Sequence, residues 1–143
     1  MFSFISKLKT KANFSKLKDK NFKFLFEEDK SGELVVVDTE TTGLNIKKDE
    51  ILSIGAVKIK DNKILTSQTF EIFLKNSKEI DSSSIKIHGI RPFDLKNAKT
   101  TKEGILEFLN FVGSRPLVGY YLEFDVDMIN KYTKEILGIT LPN

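Results

Sequence analysis

Two acids stand one residue apart in the stretch Val35-Val36-Val37-Asp38-Thr39-Glu40-Thr41-Thr42-Gly43-Leu44. Three β-branched residues in a row predict a buried strand, so the acids fall at its end. Side chains alternate along a strand, which puts Asp38 and Glu40 on one side of it as two like charges at close quarters. Such a pair calls for a cation. An isolated Asp-x-Glu pair is ordinarily a solvated strand end, but the apolar run before this one and the Thr-Thr-Gly turn after it favour function. Gly43 frees the backbone to turn away, and the hydroxyls of Thr41 and Thr42 can satisfy local backbone groups.

A third acid follows at a distance. Leu117-Val118-Gly119-Tyr120-Tyr121-Leu122-Glu123-Phe124-Asp125 reads as an apolar strand running into a Phe-Asp pair that opens a helix. By itself an acid at a helix start is ordinarily there for the helix dipole. If the fourth strand lies beside the first, Asp125 is brought against Asp38 and Glu40 and three carboxylates converge. Hard oxygen ligands of this kind suit Mg²⁺ or Mn²⁺ and not zinc, which would draw on Cys and His. Two such ions about 4 Å apart can position a water for in-line attack on a phosphodiester and stabilise the leaving oxygen. Tyr120 and Tyr121 suit either packing or stacking on a base.

The elements that must hold these residues follow in order. Strands are predicted over Glu33 to Asp38, Ile51 to Ile59 and Ile64 to Leu74, the last two joined as a hairpin through Asp61-Asn62. The chain thus opens on a three-stranded antiparallel meander. Asp81 with Ser82, Ser83 and Ser84 can cap a short helix that stops at Gly89, and Arg91-Pro92 forces a turn. Thr100 and Glu103 form a capping box ahead of Ile105, Leu106, Phe108, Leu109 and Val112 at helical spacing, and Gly113 ends that helix. Leu117 to Tyr120 is a fourth strand, while Val126, Ile129, Thr133 and Ile136 mark a final helix closed by Gly138. The class is α/β.

Composition narrows the rest. The chain has 143 residues, the usual range for one domain, and no cysteine, so it has neither a disulfide framework nor a thiolate metal site. No apolar stretch approaches the roughly 18 residues that span a bilayer, and Met1 to Ile5 is too short for a signal-peptide core before Lys7. A cytoplasmic location is expected. The net charge of +3 is uneven: residues 1–30 hold eight Lys against four acids, and the remainder is nearly neutral. This N-terminal arm also carries six Phe. Phe2, Ile5, Lys9, Phe14 and Leu17 suggest helical turns, whereas Phe22, Phe24 and Phe26 alternate as a strand would. Packing on residues 31–143 is the first reading of the arm, a nucleic-acid contact the second, and a surface-seeking segment the third.

Asp-Thr-Glu-Thr-Thr-Gly-Leu resembles the first motif of the DEDD superfamily of exonucleases, in its DnaQ-like proofreading branch, and Leu117 to Asp125 resembles the second. The resemblance implies a ribonuclease H-like fold from Glu33 onward, with the parallel fourth strand beside the first. It implies a metal-dependent 3′–5′ exonuclease whose catalytic residues and metal ligands are Asp38, Glu40 and Asp125, with two divalent cations, Mg²⁺ or Mn²⁺. Asp38 would bridge both, Glu40 would hold the nucleophile side and Asp125 the leaving-group side. Substrate contacts are implied for Thr39, Thr41, Gly43, Leu44, Ile87, His88 and Phe124, with Leu44 as a wedge against the terminal base. The implied partners are the single-stranded 3′ end of DNA, with RNA or oligonucleotides as the alternative, and a DNA polymerase.

Some residues depart from that pattern. Ser83 stands where relatives carry an acid, and Tyr120-Tyr121 where many have His-Asn. The family's fourth Asp, and the His five residues before it that takes the proton of water, have no counterpart after Asp125. His88 precedes the second motif and is not that base; it is either a substrate contact or a structural histidine at a helix end. The chain is therefore expected to be cut short before a last strand and helix, and to have little nuclease activity as given. A binding protein of the same ancestry is the competing class.

Overall fold

Period-two burial along the first strand decides how the sheet is covered. The computed structural model describes residues 2–77 and 79–143, with side chains from Ile5 onward. In β1 (Glu33–Thr41), Val35, Val37 and Thr39 are buried while Leu34 and Asp38 are exposed. β1 pairs antiparallel with β2 (Ile51–Lys60), which pairs antiparallel with β3 (Lys63–Phe73). Asp61 and Asn62 both take left-handed conformations in the hairpin turn, as two-residue turns between twisted strands require. β4 (Leu117–Val118) lies parallel to β1 on its other side, giving the order β3-β2-β1-β4.

Helices close one face. α3 (Thr101–Val112) begins with both halves of the expected capping box, Thr100 Oγ1 accepting from the Glu103 N–H and Glu103 Oε2 from the Thr100 N–H. It buries Ile105, Phe108, Leu109 and Val112. Gly104 allows α3 to sit against the end of β3, since a Cβ there would meet Leu74 Cδ2 at 2.1 Å. α4 (Leu122–Leu137) buries Ile129 and Thr133 as expected, together with Met128 and Leu137, while Val126 and Ile136 are only partly buried at the edges of that face. Together the buried apolar side chains of the two helices form one core with Val35, Val37 and Ile54. After α2 (Ser82–His88), which buries no residue, Ile90, Leu95 of a 3₁₀ turn at Pro92–Leu95 and Ala98 form a smaller cluster with Leu52.

The arm packs on this core. α1 (Phe2–Ser15) leads to a 3₁₀ helix at Lys20–Phe26, where a strand was expected from the alternating Phe residues. A three-residue repeat instead puts Phe22 and Leu25 on one side, and both are buried with Leu17 in the main core. Asn13 fastens α1 to the chain's far end, donating to Thr140 O at 2.9 Å and accepting from Thr140 N at 3.1 Å. Phe2 and Phe4, read as part of the arm's apolar face, lie outside the described side chains. Among the described residues no helix is long and apolar enough to cross a membrane.

Candidate active site

The site forms where β4 stops short. The Val35 N–H bonds to Pro116 O, so alternate N–H groups of β1 point toward β4. β4 pairs with Val35 and Val36 only, two residues shorter than expected, which leaves the Thr39 N–H beyond its end. Gly119 permits the exit, because a Cβ there would lie 2.9 Å from Val37 O. Tyr121 then turns the chain with φ of 51° and α4 begins. Asp125, in its first turn, accepts from Thr39 N at 3.0 Å and from Thr39 Oγ1 at 2.5 Å.

The three acids thus arrive by different routes. Asp38 and Glu40 stand on the sheet face opposite the buried Val35, Val37 and Thr39, whereas Asp125 comes in beside Thr39 over the strand's end. Burial raises the Asp125 pKa, against the hydrogen bonds from Thr39, and the Asp38 charge raises it further. Burial also raises the Glu40 pKa, and Asp38 and Asp125 add to it by repulsion. No ion pair involving these three carboxylates occurs among the described residues. Nor, among those residues, are three acids or histidines gathered closely enough to cage a metal ion. The donor chemistry, all carboxylate oxygen with no ion pair among the described residues, is of the type that a hard divalent ion takes, although the three side chains are not drawn together around one point in this arrangement.

All the residues singled out in the sequence line one cavity of about 520 Å³: Asp38, Thr39, Glu40, Thr41, Gly43, Leu44, Ile87, His88, Phe124 and Asp125. Tyr120 and Tyr121 line it too, and Leu44, Ile87 and Tyr120 are 85%, 85% and 96% exposed at its rim. His88 Nδ1 accepts from the Ile90 N–H at 2.9 Å, which leaves the ring proton on Nε2. That nitrogen is buried without a partner, and burial lowers the His88 pKa, so the ring is a neutral donor. Ser83 is spent on the helix cap, its Oγ and N–H both on Asp81 Oδ1.

Sequence reasoning missed two groups. Asp49, read only as part of a polar connection, holds the Leu44 loop: Oδ1 accepts from Thr42 Oγ1 and Oδ2 from the Asn45 N–H. Gly43 is required there by close approach, since a Cβ would lie 2.6 Å from Asp49 Oδ2; it does not have the positive φ of a turn glycine. A second cavity of about 590 Å³ shares Asp38, Glu40 and His88 and continues past Gly55 and Glu71 to Arg91 and Asp94. The hairpin register was the signal for it, because Asp38 pairs with Gly55 and Gly55 with Glu71.

Comparison with known proteins agrees with this geometry. The profile of the RNase_T family, described as exonuclease, matches residues 35–143. The chain is 43% identical over 112 residues to a DNA polymerase III PolC-type protein of Caldanaerobacter subterraneus, covering 78% of this chain and 8% of the relative. It is 35% identical over 107 residues to a DNA polymerase III subunit epsilon of Aquifex aeolicus, covering 75% of this chain and 52% of that one. The chain therefore spans about half of the epsilon relative and under a tenth of the PolC relative. Exonuclease I of E. coli in complex with a dT13 oligonucleotide superposes with a TM-score of 0.65 at 14% identity, over 74% of this chain and 24% of that one. The fold is the ribonuclease H-like fold expected, four strands with one parallel pair. With its profile match running from β1 past α4, the chain belongs to the RNase_T exonuclease family.

Proposed function

We propose that this chain carries the metal-binding and nucleotide-binding half of a 3′–5′ exonuclease site acting on single-stranded DNA ends. The observation that carries the reading is the convergence on one cavity of three acids without a counter-cation and seven candidate substrate contacts, from sequence positions 38 to 125. Asp38, Glu40 and Asp125 would hold divalent cations, which when bound supply charge neutralisation at the phosphate and a more acidic water. Thr39 orients Asp125 by occupying Oδ1, so that Oδ2 is left for the cation side. The His88 Nε2–H is a donor for a substrate oxygen, and Leu44 and Phe124 give the terminal base apolar contact. DNA is favoured over RNA by the relatives' names, DNA polymerase III, and the same names point to a polymerase partner.

A second reading, binding without cleavage, is favoured for the 143 residues as given. After Asp125 the only acids are Asp127 and Glu135, both exposed on α4, and no histidine follows. Metal binding and cleavage are therefore tested apart. Mn²⁺ is expected to raise the melting temperature of the wild type and not of Asp38→Asn; an equal rise in both would remove the metal site. Digestion of 5′-labelled oligonucleotides with free or blocked 3′ ends is expected to be slow here and sensitive to the block. Rapid cleavage of blocked strands would overturn the polarity.

A further inference from the structure

The second lobe of the site contains a group that the motifs leave unused. Among the described residues that line either lobe, Arg91 is the only lysine or arginine; the others with charge are the acids Asp38, Glu40, Glu71, Asp94 and Asp125. The chain's other arginine, Arg115, is committed to Glu33 through Nε at 2.6 Å and to Val112 O through Nη1. Arg91 is held differently. Asp94 accepts from its Nε at 3.2 Å, its Nη2 at 3.3 Å and its backbone N–H at 2.7 Å. One edge of the guanidinium is thereby fixed. The other edge, with both hydrogens of Nη1, has no acceptor among the described residues, and the side chain is 67% exposed.

A guanidinium clamped on one edge presents the other as a planar two-pronged donor, the geometry that matches a phosphate. The position agrees. A strand whose end lies at Asp38 and Glu40 brings further phosphates past an otherwise acidic wall, where Arg91 supplies the positive charge found among the described lining residues. Gly55 keeps the floor between Asp38 and Glu71 low, since nothing lies within 4 Å of where its Cβ would be.

We propose that Arg91, oriented by Asp94, binds a backbone phosphate of the nucleic-acid strand adjacent to the one held at Asp38 and Glu40, and that the second lobe is the strand's path there. The inference rests on the nucleic-acid reading above and adds a contact to it. Asp94 acts through Arg91 as a positioning residue.

Two probes separate this contact from the rest of the site: a 5′-labelled oligothymidylate of eight nucleotides, followed by anisotropy in Ca²⁺, and thymidine 5′-monophosphate as its competitor. Arg91→Gln is expected to weaken the oligonucleotide about fivefold and to flatten its salt dependence by about 0.7 in log–log slope, the value of one single-strand phosphate contact. The affinity for the monophosphate should stay within about twofold. Arg91→Lys should keep the slope and lose part of the affinity, and Asp94→Asn should do the same by loosening the guanidinium. Unchanged oligonucleotide binding in Arg91→Gln overturns the contact, as does an equal loss for both probes, which would mark general damage. If the wild-type chain binds neither probe, the nucleic-acid reading itself falls and this inference with it.

Discussion

Glu33 and Glu40 lie on the same strand at opposite ends, and the fold treats them in opposite ways. At the start of β1, Glu33 is met by Arg115 at 2.6 Å and Lys58 at 3.9 Å, with its side chain 12% exposed. At the other end Glu40 has acids for neighbours, and its pKa is raised by burial and by their charge. The same contrast runs through the surroundings. Around the start of β1, Arg115 is held in turn, its Nη1 donating to Val112 O and its carbonyl accepting from Asn143 Nδ2. Around the end, Leu44, Ile87 and Tyr120 are left exposed; a buried polar atom without a partner occurs near each end, His88 Nε2 here and Asn143 Oδ1 beside Arg115 there. A chain able to neutralise a half-buried glutamate at one end has left another uncompensated at the other, and that is expected where the missing partner is a ligand.

Removing each glutamate breaks or sharpens the contrast. Glu33→Ala leaves Arg115 without its carboxylate in a half-buried place, and a loss of about 2–3 kcal/mol in urea unfolding is expected. A loss below about 0.5 kcal/mol would reduce Glu33 to an ordinary surface pair. Next in size is Gly43→Ala at the site end, expected to cost about 2 kcal/mol by driving a methyl group into the Asp49 carboxylate. In an Asp49→Ala background the same change should cost at least about 1 kcal/mol less, and additive losses would separate the two residues.

The paired end and the open end were not equally legible. The acids, the hairpin turn and the Thr100-Glu103 capping box declare themselves through local chemistry, and the structure has each element where local spacing put it. The arm's 3₁₀ helix was misread because Phe22, Phe24 and Phe26 repeat both at two and, through Leu25, at three; only the packing of Phe22 and Leu25 on the core decides between them. Asp49 and Arg91 were invisible for a different reason. Each meets its neighbours only once the loops have folded, Asp49 against Gly43 and Arg91 in the lobe that it shares with Asp38. The shortness of β4, which frees the Thr39 N–H for Asp125, likewise depends on Gly119 pressing against Val37 and has no motif.

Glu40→Gln should have the opposite sign to Glu33→Ala. With chelator present, relief from Asp38 and Asp125 should stabilise the chain by about 1 kcal/mol, while the Mn²⁺-dependent rise in melting temperature is lost. The pH dependence follows from the direction of the shifts. A carboxyl whose pKa is raised on folding binds more protons in the folded than in the unfolded state across that interval, so its stabilisation is present below the ordinary carboxylate values and is lost as pH rises through the raised ones. For Glu40 and Asp125, melting temperatures in chelator should therefore fall between mildly acidic and neutral pH by more in the wild type than in Glu40→Gln. Saturating Mn²⁺ should flatten the difference. A wild type that instead gains stability relative to Glu40→Gln over that interval would mean that an unseen cation already compensates the site.

The smallest expected effect concerns backbone and not charge. Tyr121 is the residue that turns β4 into α4, with φ of 51°, no side-chain cap and 72% exposure beside the cavity. A bulky side chain in the left-handed region is strained by about 1 kcal/mol, and an exposed ring regains little of it by packing. Glycine relieves the strain but gives more freedom to the unfolded chain, so Tyr121→Gly should stabilise by only about 0.5 kcal/mol. If the ring is a platform for an unpaired base, the same variant should bind the oligothymidylate more weakly while melting at the same temperature or higher. A lower melting temperature with unchanged binding would make Tyr121 a packing residue, and the open end of the molecule would be one contact less open than its exposure indicates.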